Sequence, residues 1–547
     1  MLRRANAEHR VSNDKIYVDT RSIFAYVYEQ TATFYGTFLF TLLAVTTLIL
    51  KPASFVLVIP LIYGVCLLCY TNKFERVLPL KLPIFAKMLD RKNFAPGQRT
   101  KFKEASGTIM LGNEMTTKKE CWLMGADLLT HMLLIGTTGA GKTVTLMSMM
   151  SASSFLLGGG CIYVDAKAAP DLLFRLVAVA RMFGREDQVK LISFKTGGVA
   201  VPRRSWKRLS NTTQPFSQGP ATTVSQILKD GLPDSSGENQ IFQDYAITIL
   251  DALMPCLTEL RDKNILNITP STIADFIDPK KVLMLAYPEH YNHKVVFNNW
   301  TLGRCEVENK LSTRTLQTLR MALEGMSFDL SDEAILDPKK QPEEATKIFG
   351  YGKSYFGKIL QSLANVNGHI FECERGEVNY KDVILNNKIL LVAIPATEQE
   401  KNMRQTIGKI QLSGIRVAIS TGLGPNTEGD VEDVIKNLPI DKKIPSLIII
   451  DEYAEVAVPG FAVSATQGRG LGMAIVFAGQ DLAGFSRASE EETDMIFGNT
   501  RLKVVMASED PNQTLEYFKK IAGEEKVARS DGFDKTSGFS DHASKGS

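Results

Sequence analysis

The 547-residue chain has little histidine, no cysteines spaced for pairing and almost no net charge. Of six histidines, His290 and His293 form a His-x-x-His, but no Cys, Asp or Glu completes a ligand set, so they read as surface residues. The seven cysteines, at 66, 69, 121, 161, 256, 305 and 373, are odd in number and scattered, which excludes a disulfide framework and a cysteine zinc site. Cys66 and Cys69 make a C-x-x-C, yet they sit in an apolar run without the polar surroundings that activate a thiol. A formal net charge of +3 does not mark a nucleic-acid binder; a DNA partner would need basic residues focused on one surface. No nucleophile–base arrangement stands out.

What is present is ordinary in bulk and informative in detail. Hydrophobic residues make up 44% and charged residues 22%, the composition of a globular chain long enough for two or three domains. Residues 31–50 and 53–70 carry no charge, and only Lys51-Pro52 separates them. Each run meets or nearly meets the roughly 20 residues that cross a bilayer, which predicts a two-span hairpin with a tight turn on the far side. Arg3, Arg4, Arg10, Lys15 and Arg21 precede the first run, and nine Lys or Arg lie between Lys73 and Lys103 against Glu75 and Asp90. Positive flanks place both ends in the cytoplasm. A cleaved signal peptide does not fit, because the first run starts late and lacks a small-residue cleavage site.

Gly136–Thr143 reads Gly-Thr-Thr-Gly-Ala-Gly-Lys-Thr and matches a phosphate-binding loop in full, after an apolar strand (131–135) and before a helical stretch from Val144. Gly136, Thr137, Thr138, Gly139, Ala140 and Gly141 would wrap phosphates with backbone amides, Lys142 would reach the β- and γ-phosphates, and the Thr143 hydroxyl would ligate Mg²⁺. An acidic pair is expected at the end of a buried strand, and Leu447–Ile450 followed by Asp451-Glu452 supplies it. Asp451 would hold Mg²⁺ through water, and Glu452 would orient or deprotonate the attacking water on ATP.

Further apolar segments at 161–165, 188–194, 388–394, 473–478 and 502–506 alternate with helical patterns such as 171–183, predicting an α/β fold with a doubly wound parallel sheet. Between about 220 and 365 the pattern turns helical, with Phe242, Tyr245, Ile249, Leu253, Leu257 and Leu260 at i+3/i+4 spacing and Pro255 expected to kink or split the helix. Strand signals return near Ile370. The resulting organisation is a cytoplasmic segment (1–30), a transmembrane hairpin (31–72), a nucleotide-binding domain in two parts (73–220 and 366–525), an inserted all-helical domain (221–365) and a flexible tail (526–547).

These residues resemble the type IV coupling proteins, within the FtsK/HerA group of RecA-like ring ATPases. The shared features are the two-span hairpin, Gly136–Thr143, Tyr163-Val164-Asp165-Ala166-Lys167, the helical insertion and Asp451-Glu452. Gly468-Arg469-Gly470-Leu471-Gly472, leading into Phe477-Ala478-Gly479-Gln480-Asp481, completes them. Gly184-Arg185-Glu186-Asp187, Asp451-Glu452-Tyr453 and Phe477–Leu482 resemble the type IVB subgroup most. The resemblance implies a homo-hexamer with ATP at subunit interfaces, Arg469 as an arginine finger toward the neighbour's γ-phosphate and Gln480 as a sensor. It also implies a bacterial inner-membrane location and partners in the type IV secretion or conjugation machinery, with DNA in a relaxase complex, effector proteins, or both as cargo. Members of the subgroup usually carry a C-terminal extension for adaptor proteins, whereas this sequence ends at Ser547 after a Ser/Gly-rich stretch, so the resemblance implies nothing about adaptors.

Weaker signals are the cluster Arg203-Arg204-Ser205-Trp206-Lys207-Arg208, which suits phosphate contact and base stacking but reads equally as a solvated loop, and the acidic stretch 428–432. The expectation is an inner-membrane hexameric ATPase that recruits substrate and drives it into a type IV channel. Its rivals are an FtsK-like chromosome translocase, which typically has more spans, and a docking receptor that binds ATP with little turnover.

Overall fold

The computed structural model describes, besides Leu42, most of residues 81–522, with breaks that include 114–119, 197–209, 233–237 and 423–443. The two apolar runs, the Cys66–Cys69 pair, the cluster at 203–208, the acidic stretch at 428–432 and the tail from 526 lie outside the described residues. Among the described residues no helix is long and apolar enough to cross a membrane. The chain divides into two units, Leu80–Tyr517 and a second of Met1–Pro79 with Phe518–Ser547, and the elements below belong to the first.

Four strands outside the central sheet precede the phosphate loop among the described residues: β1 (Leu89–Ala95) pairs antiparallel with β2 (Gln98–Glu104), and β3 (Gly107–Asn113) with β4 (Glu120–Met124). Sequence pattern predicts none of them. β2 reads Gln-Arg-Thr-Lys-Phe-Lys-Glu, and a single apolar residue leaves no alternation to recognise.

The central sheet has seven parallel strands: β5 (Met132–Ile135), β6 (Cys161–Asp165), β7 (Val189–Ser193), β10 (Ile389–Ala393), β11 (Ser446–Asp451), β12 (Met473–Gly479) and β13 (Leu502–Val505). β8 and β9 fall in the insertion. Spatial order is β13-β5-β12-β11-β6-β10-β7. Five of these elements, β5, β6, β11, β12 and β13, therefore lie in the order fifth-first-fourth-third-second, the arrangement of a RecA-like core. β5, β6, β11 and β12 are buried along their whole length, which is why they read as unbroken apolar runs. The edge strands β7 and β13 are only partly covered, and each carries a lysine, Lys190 and Lys503, that discourages further pairing. α1 (Leu172–Met182) covers the sheet with Leu172, Leu176 and Ala180, one face at four-residue spacing.

The insertion between β7 and β10 contains α2 (Ala221–Asp230), α3 (Glu238–Asp262), α4 (Pro270–Phe276), α5 (Pro279–Ala286), α6 (Thr313–Gly325) and α7 (Glu343–Gln361). Three expectations change here. The insertion is not all-helical, because β8 (Lys294–Asn299) and β9 (Gly303–Glu308) form an antiparallel hairpin with Val295, Phe297 and Val307 turned inward. α3 is not split at Pro255 but continues through it: Ile249, Leu253, Leu257 and Leu260 are at most 1% exposed, and their packing outweighs the lost hydrogen bond. The region around Ile370 is a short helix, Gly368–Phe371, and strand structure resumes only at Ile389. Helix starts in the insertion follow their sequence: Thr269, Asp278 and Ser312 cap α4, α5 and α6, with Pro270 and Pro279 opening the first two.

Beyond β10, α8 (Lys401–Gly422), α9 (Phe461–Gly470), α10 (Leu482–Ala488) and α11 (Glu490–Asn499) complete the second part of the nucleotide-binding domain. Arg185, quoted above for resemblance, proves to be a tie at the base of the sheet. Its guanidinium donates to the carbonyls of Gly159 at 2.7 Å and Asn387 at 2.6 Å. Burial pushes the Cys161 and Cys256 thiols up to about 12, which leaves both as packing residues.

Candidate nucleotide-binding site

β5 delivers the chain into the phosphate loop. Gly136 donates its amide to the Gly479 carbonyl at 3.0 Å, and Thr137 donates to Ala507 at 2.9 Å, so the loop is anchored to the ends of β12 and β13. Gly139 and Gly141 hold φ of +87° and +90°, left-handed conformations that a side chain would strain. Gly141 is the residue before the helix that begins at Lys142, and it lets the loop turn straight into that helix. Helical structure runs over 142–156, widened to a π-helical turn at Thr145–Ser151. Thr138 and Gly139 form the exposed tip, whereas Lys142 is 7% exposed.

β11 brings the acidic pair to the same end of the sheet. Asp451 lies beside Asp165 of β6 in register, and both carboxylates are buried. Burial raises the Asp165 carboxyl, opposed by amide hydrogen bonds from Lys167 and Ala169. Tyr163, fully buried, donates its hydroxyl to Asp451 Oδ2 at 3.2 Å. Immediately after the strand, Glu452 takes φ 57° and ψ 52°, a left-handed backbone that only firm surroundings hold in a glutamate.

The two halves meet through charge. Lys142 Nζ lies 2.5 Å from Glu452 Oε1 and 3.1 Å from Asp451 Oδ1. Lys167, just past β6, places its Nζ 2.6 Å from the same Glu452 oxygen, and Gln480 Nε2, past β12, lies 3.4 Å from it. Burial alone would push the Glu452 carboxyl upward, but the Lys142 and Lys167 ammonium groups outweigh it and hold the acid below its ordinary range. Glu452 is therefore ionised.

The donor set fits a hydrated divalent cation beside a phosphate. Asp451 Oδ1 is buried and accepts no hydrogen bond; Lys142 approaches it only as an ion pair. The Thr143 hydroxyl, in the first turn of the helix, makes no hydrogen bond among the described residues. An oxygen pair of this kind, without protein donors, suits Mg²⁺ and its waters.

Of the expected site residues, the structure brings together Lys142, Asp451, Glu452 and Gln480 at the carboxyl ends of the strands. Arg469 is elsewhere. It is exposed near the end of α9, before β12 begins, and has no ion pair among the described residues. The seven residues of β12 separate it from Gln480, roughly 20 Å at about 3.3 Å per residue. It cannot reach the phosphate loop of its own subunit. α9 is held from its other end by Glu492 of α11, 2% exposed, which accepts hydrogen bonds from the amides of Gly460 at 2.8 Å and Ala462 at 2.6 Å, and from the Tyr453 hydroxyl at 2.9 Å. Beneath Arg469, His131 accepts from the Ile475 amide at 3.2 Å. Burial lowers the imidazole to about 4, with the Arg469 charge adding to the effect.

Sequence reasoning assigned no role to Lys167, Tyr163 or Asp165. One signal was available: a lysine directly after a buried strand, in a fold whose ligands gather at strand ends.

The family profile described as the TraM recognition site of TraD and TraG matches residues 445–547. The type 4 coupling protein DotL of Legionella pneumophila subsp. pneumophila (strain Philadelphia 1) is 33% identical over 541 residues, covering 97% of this chain. The chain spans 66% of the length of that relative. Among solved structures, the bacterial conjugative coupling protein TrwB, unbound, is 16% identical with a TM-score of 0.44, covering 74% of this chain and 75% of its own. TrwB in complex with ADP and Mg²⁺ is 15% identical with a TM-score of 0.45, covering 75% of this chain and 78% of its own. Over nearly its whole length, the chain is similar to a type IV coupling protein, DotL.

Proposed function

We propose that this chain is a two-pass inner-membrane ATPase that works as a homo-hexamer, recruits nucleoprotein or protein substrate and drives it into a type IV secretion or conjugation channel. The observation that carries the reading is the convergence of Lys142, Asp451 and Glu452 at the mouth of a complete phosphate loop. In this reading Lys142 neutralises the β- and γ-phosphates of ATP, and Glu452 orients the attacking water and takes its proton. Thr143 and Asp451 would hold Mg²⁺, which supplies charge neutralisation between the phosphates.

Ring assembly is supported by Arg469, exposed, unpaired with any acid among the described residues and far from its own phosphate loop. A guanidinium so placed would serve the γ-phosphate of an adjacent subunit. Membrane anchoring, with both termini in the cytoplasm, rests on the apolar runs at 31–50 and 53–70 and their basic flanks. Transfer as the purpose of hydrolysis is supported by the coupling-protein relative, and a docking role for residues 445–547 by the recognition-site description.

ATP hydrolysis by the detergent-solubilised full chain, with and without single-stranded DNA, tests the reading against Glu452→Gln. Turnover that rises with DNA and vanishes in the variant supports a DNA-pumping motor. DNA-independent turnover abolished by the variant supports a motor for protein cargo. An assembled hexamer without turnover overturns the motor in favour of a docking receptor.

A further inference from the structure

Glu452 Oε1 is the shared acceptor of three groups from three strand ends: Lys142 Nζ at 2.5 Å, Lys167 Nζ at 2.6 Å and Gln480 Nε2 at 3.4 Å. The two lysines are not equivalent. Lys142 belongs to the phosphate loop, and its charge is required at the phosphates when nucleotide enters. Lys167 lies on a separately fixed turn. The Asp165 carboxylate accepts from the amides of Lys167 and Ala169, both at 2.8 Å, and Ala168 between them takes φ 49°. Its side chain is 46% exposed, against 8% for Lys142, so it has room to follow the carboxylate without leaving water. A carboxylate as buried as Glu452, once Lys142 has left it, keeps only the groups that still reach the same oxygen, Lys167 and Gln480. Without Lys167 its direction would be set by Gln480 alone, the longest of the three contacts at 3.4 Å.

Building on the ATPase reading above, we propose that Lys167 is a positioning residue for Glu452. With Gln480 it keeps the carboxylate anchored after Lys142 has moved to the phosphates. In this role Lys167 acts through Glu452 and contacts neither the nucleotide nor the attacking water. The proposal gives a task to the last residue of the Tyr163–Lys167 segment, which the phosphate-loop chemistry leaves unused.

The test uses the full chain in detergent, as Lys167→Met, Lys167→Arg, Glu452→Gln and the Lys167→Met/Glu452→Gln double variant. The first readout is independent of turnover: thermal midpoint with saturating Mg²⁺ and a non-hydrolysable ATP analogue. Lys167→Met is expected to lower the midpoint by about 2–4 °C in the wild-type background and to have no effect in the Glu452→Gln background. Equal effects in both backgrounds overturn the proposal. The second readout is kcat beside analogue affinity. Lys167→Met should lower kcat on the order of tenfold, with analogue affinity within about twofold. Lys167→Arg should stay within about threefold of wild type, because a cation is kept. A tenfold loss of analogue affinity would make Lys167 a phosphate ligand and overturn the proposal. A wild-type chain without turnover defeats the ATPase reading, while the thermal cycle still decides whether Lys167 anchors Glu452.

Discussion

Lys142 and Glu452 neutralise each other: the ammonium of the phosphate loop lies 2.5 Å from the carboxylate at the end of β11, and both are nearly buried. On the proposed reading, nucleotide binding has to break this ion pair before Lys142 can reach the phosphates. That exchange would tie occupancy of the site to release of Glu452, the group proposed to orient water. It also keeps Glu452 engaged while no phosphate is present.

Removing the carboxylate's charge should free the lysine. Glu452→Gln is expected to bind a fluorescent ATP analogue about threefold to tenfold more tightly than wild type, because less is lost when Lys142 turns to the phosphates. Turnover should fall by at least about a hundredfold, since the residue that orients water is lost. A titration beside a hydrolysis assay checks both. Weaker analogue binding by the variant would contradict the pairing.

Arg469 should act in trans. Arg469→Ala is expected to lower kcat on the order of a thousandfold while analogue affinity stays near wild type. Mixed with Lys142→Ala, which cannot use its own site but still carries Arg469, it should regain part of its activity. Two inactive variants that stay inactive when mixed, yet co-assemble, would place the guanidinium's role within its own subunit. The roughly 20 Å spanned by β12 argues otherwise.

How much of this is legible in the sequence depends on where the information lies along the chain. The phosphate loop is a contiguous motif, and β5 before it and β11 are doubly buried, so neighbouring residues announce them. Helix α3 is legible from its stripe, yet its passage through Pro255 is decided by packing from other segments. The hairpin of β8 and β9 is hidden among helices, although Val295 and Phe297 alternate as a half-buried strand should. Strands β1 to β4 escape notice because β2 is polar almost throughout. The Lys167–Glu452 pair joins residues 285 positions apart, and no periodicity within one segment encodes such a contact. The position of Arg469 is a related case, since the partner proposed for it lies on another copy of the chain.

The buried imidazole at the base of β5 should make stability fall on acidification. His131 titrates at about 4 in the folded protein and near 6.5 when unfolded. A folded value below the unfolded one means that the unfolded state takes up the proton first. Its contribution is therefore present above about pH 6.5 and lost as pH falls from there to about 4, up to about 3 kcal/mol in total. His131 holds φ 60°, a conformation that asparagine tolerates, so His131→Asn is the suitable comparison. Thermal midpoints of the two proteins should converge as pH is lowered from 7 to 4.5. Parallel curves would remove His131 as the cause.

Glu492 should matter for stability and for the helix that carries Arg469. Its two oxygens take three hydrogen bonds, from the amides of Gly460 and Ala462 at the start of α9 and from the Tyr453 hydroxyl. Truncation to alanine leaves those three donors buried without acceptors, at a cost of about 2–4 kcal/mol. Glu492→Gln keeps acceptor capacity on one oxygen and should cost about half as much. Because α9 ends beside Arg469, the glutamine variant should also lose turnover at temperatures where it is still folded, with nucleotide affinity unchanged. Thermal unfolding followed by hydrolysis below the transition checks both effects. Full activity in a clearly destabilised Glu492→Gln would mean that the cap supports the fold without governing the placement of the arginine.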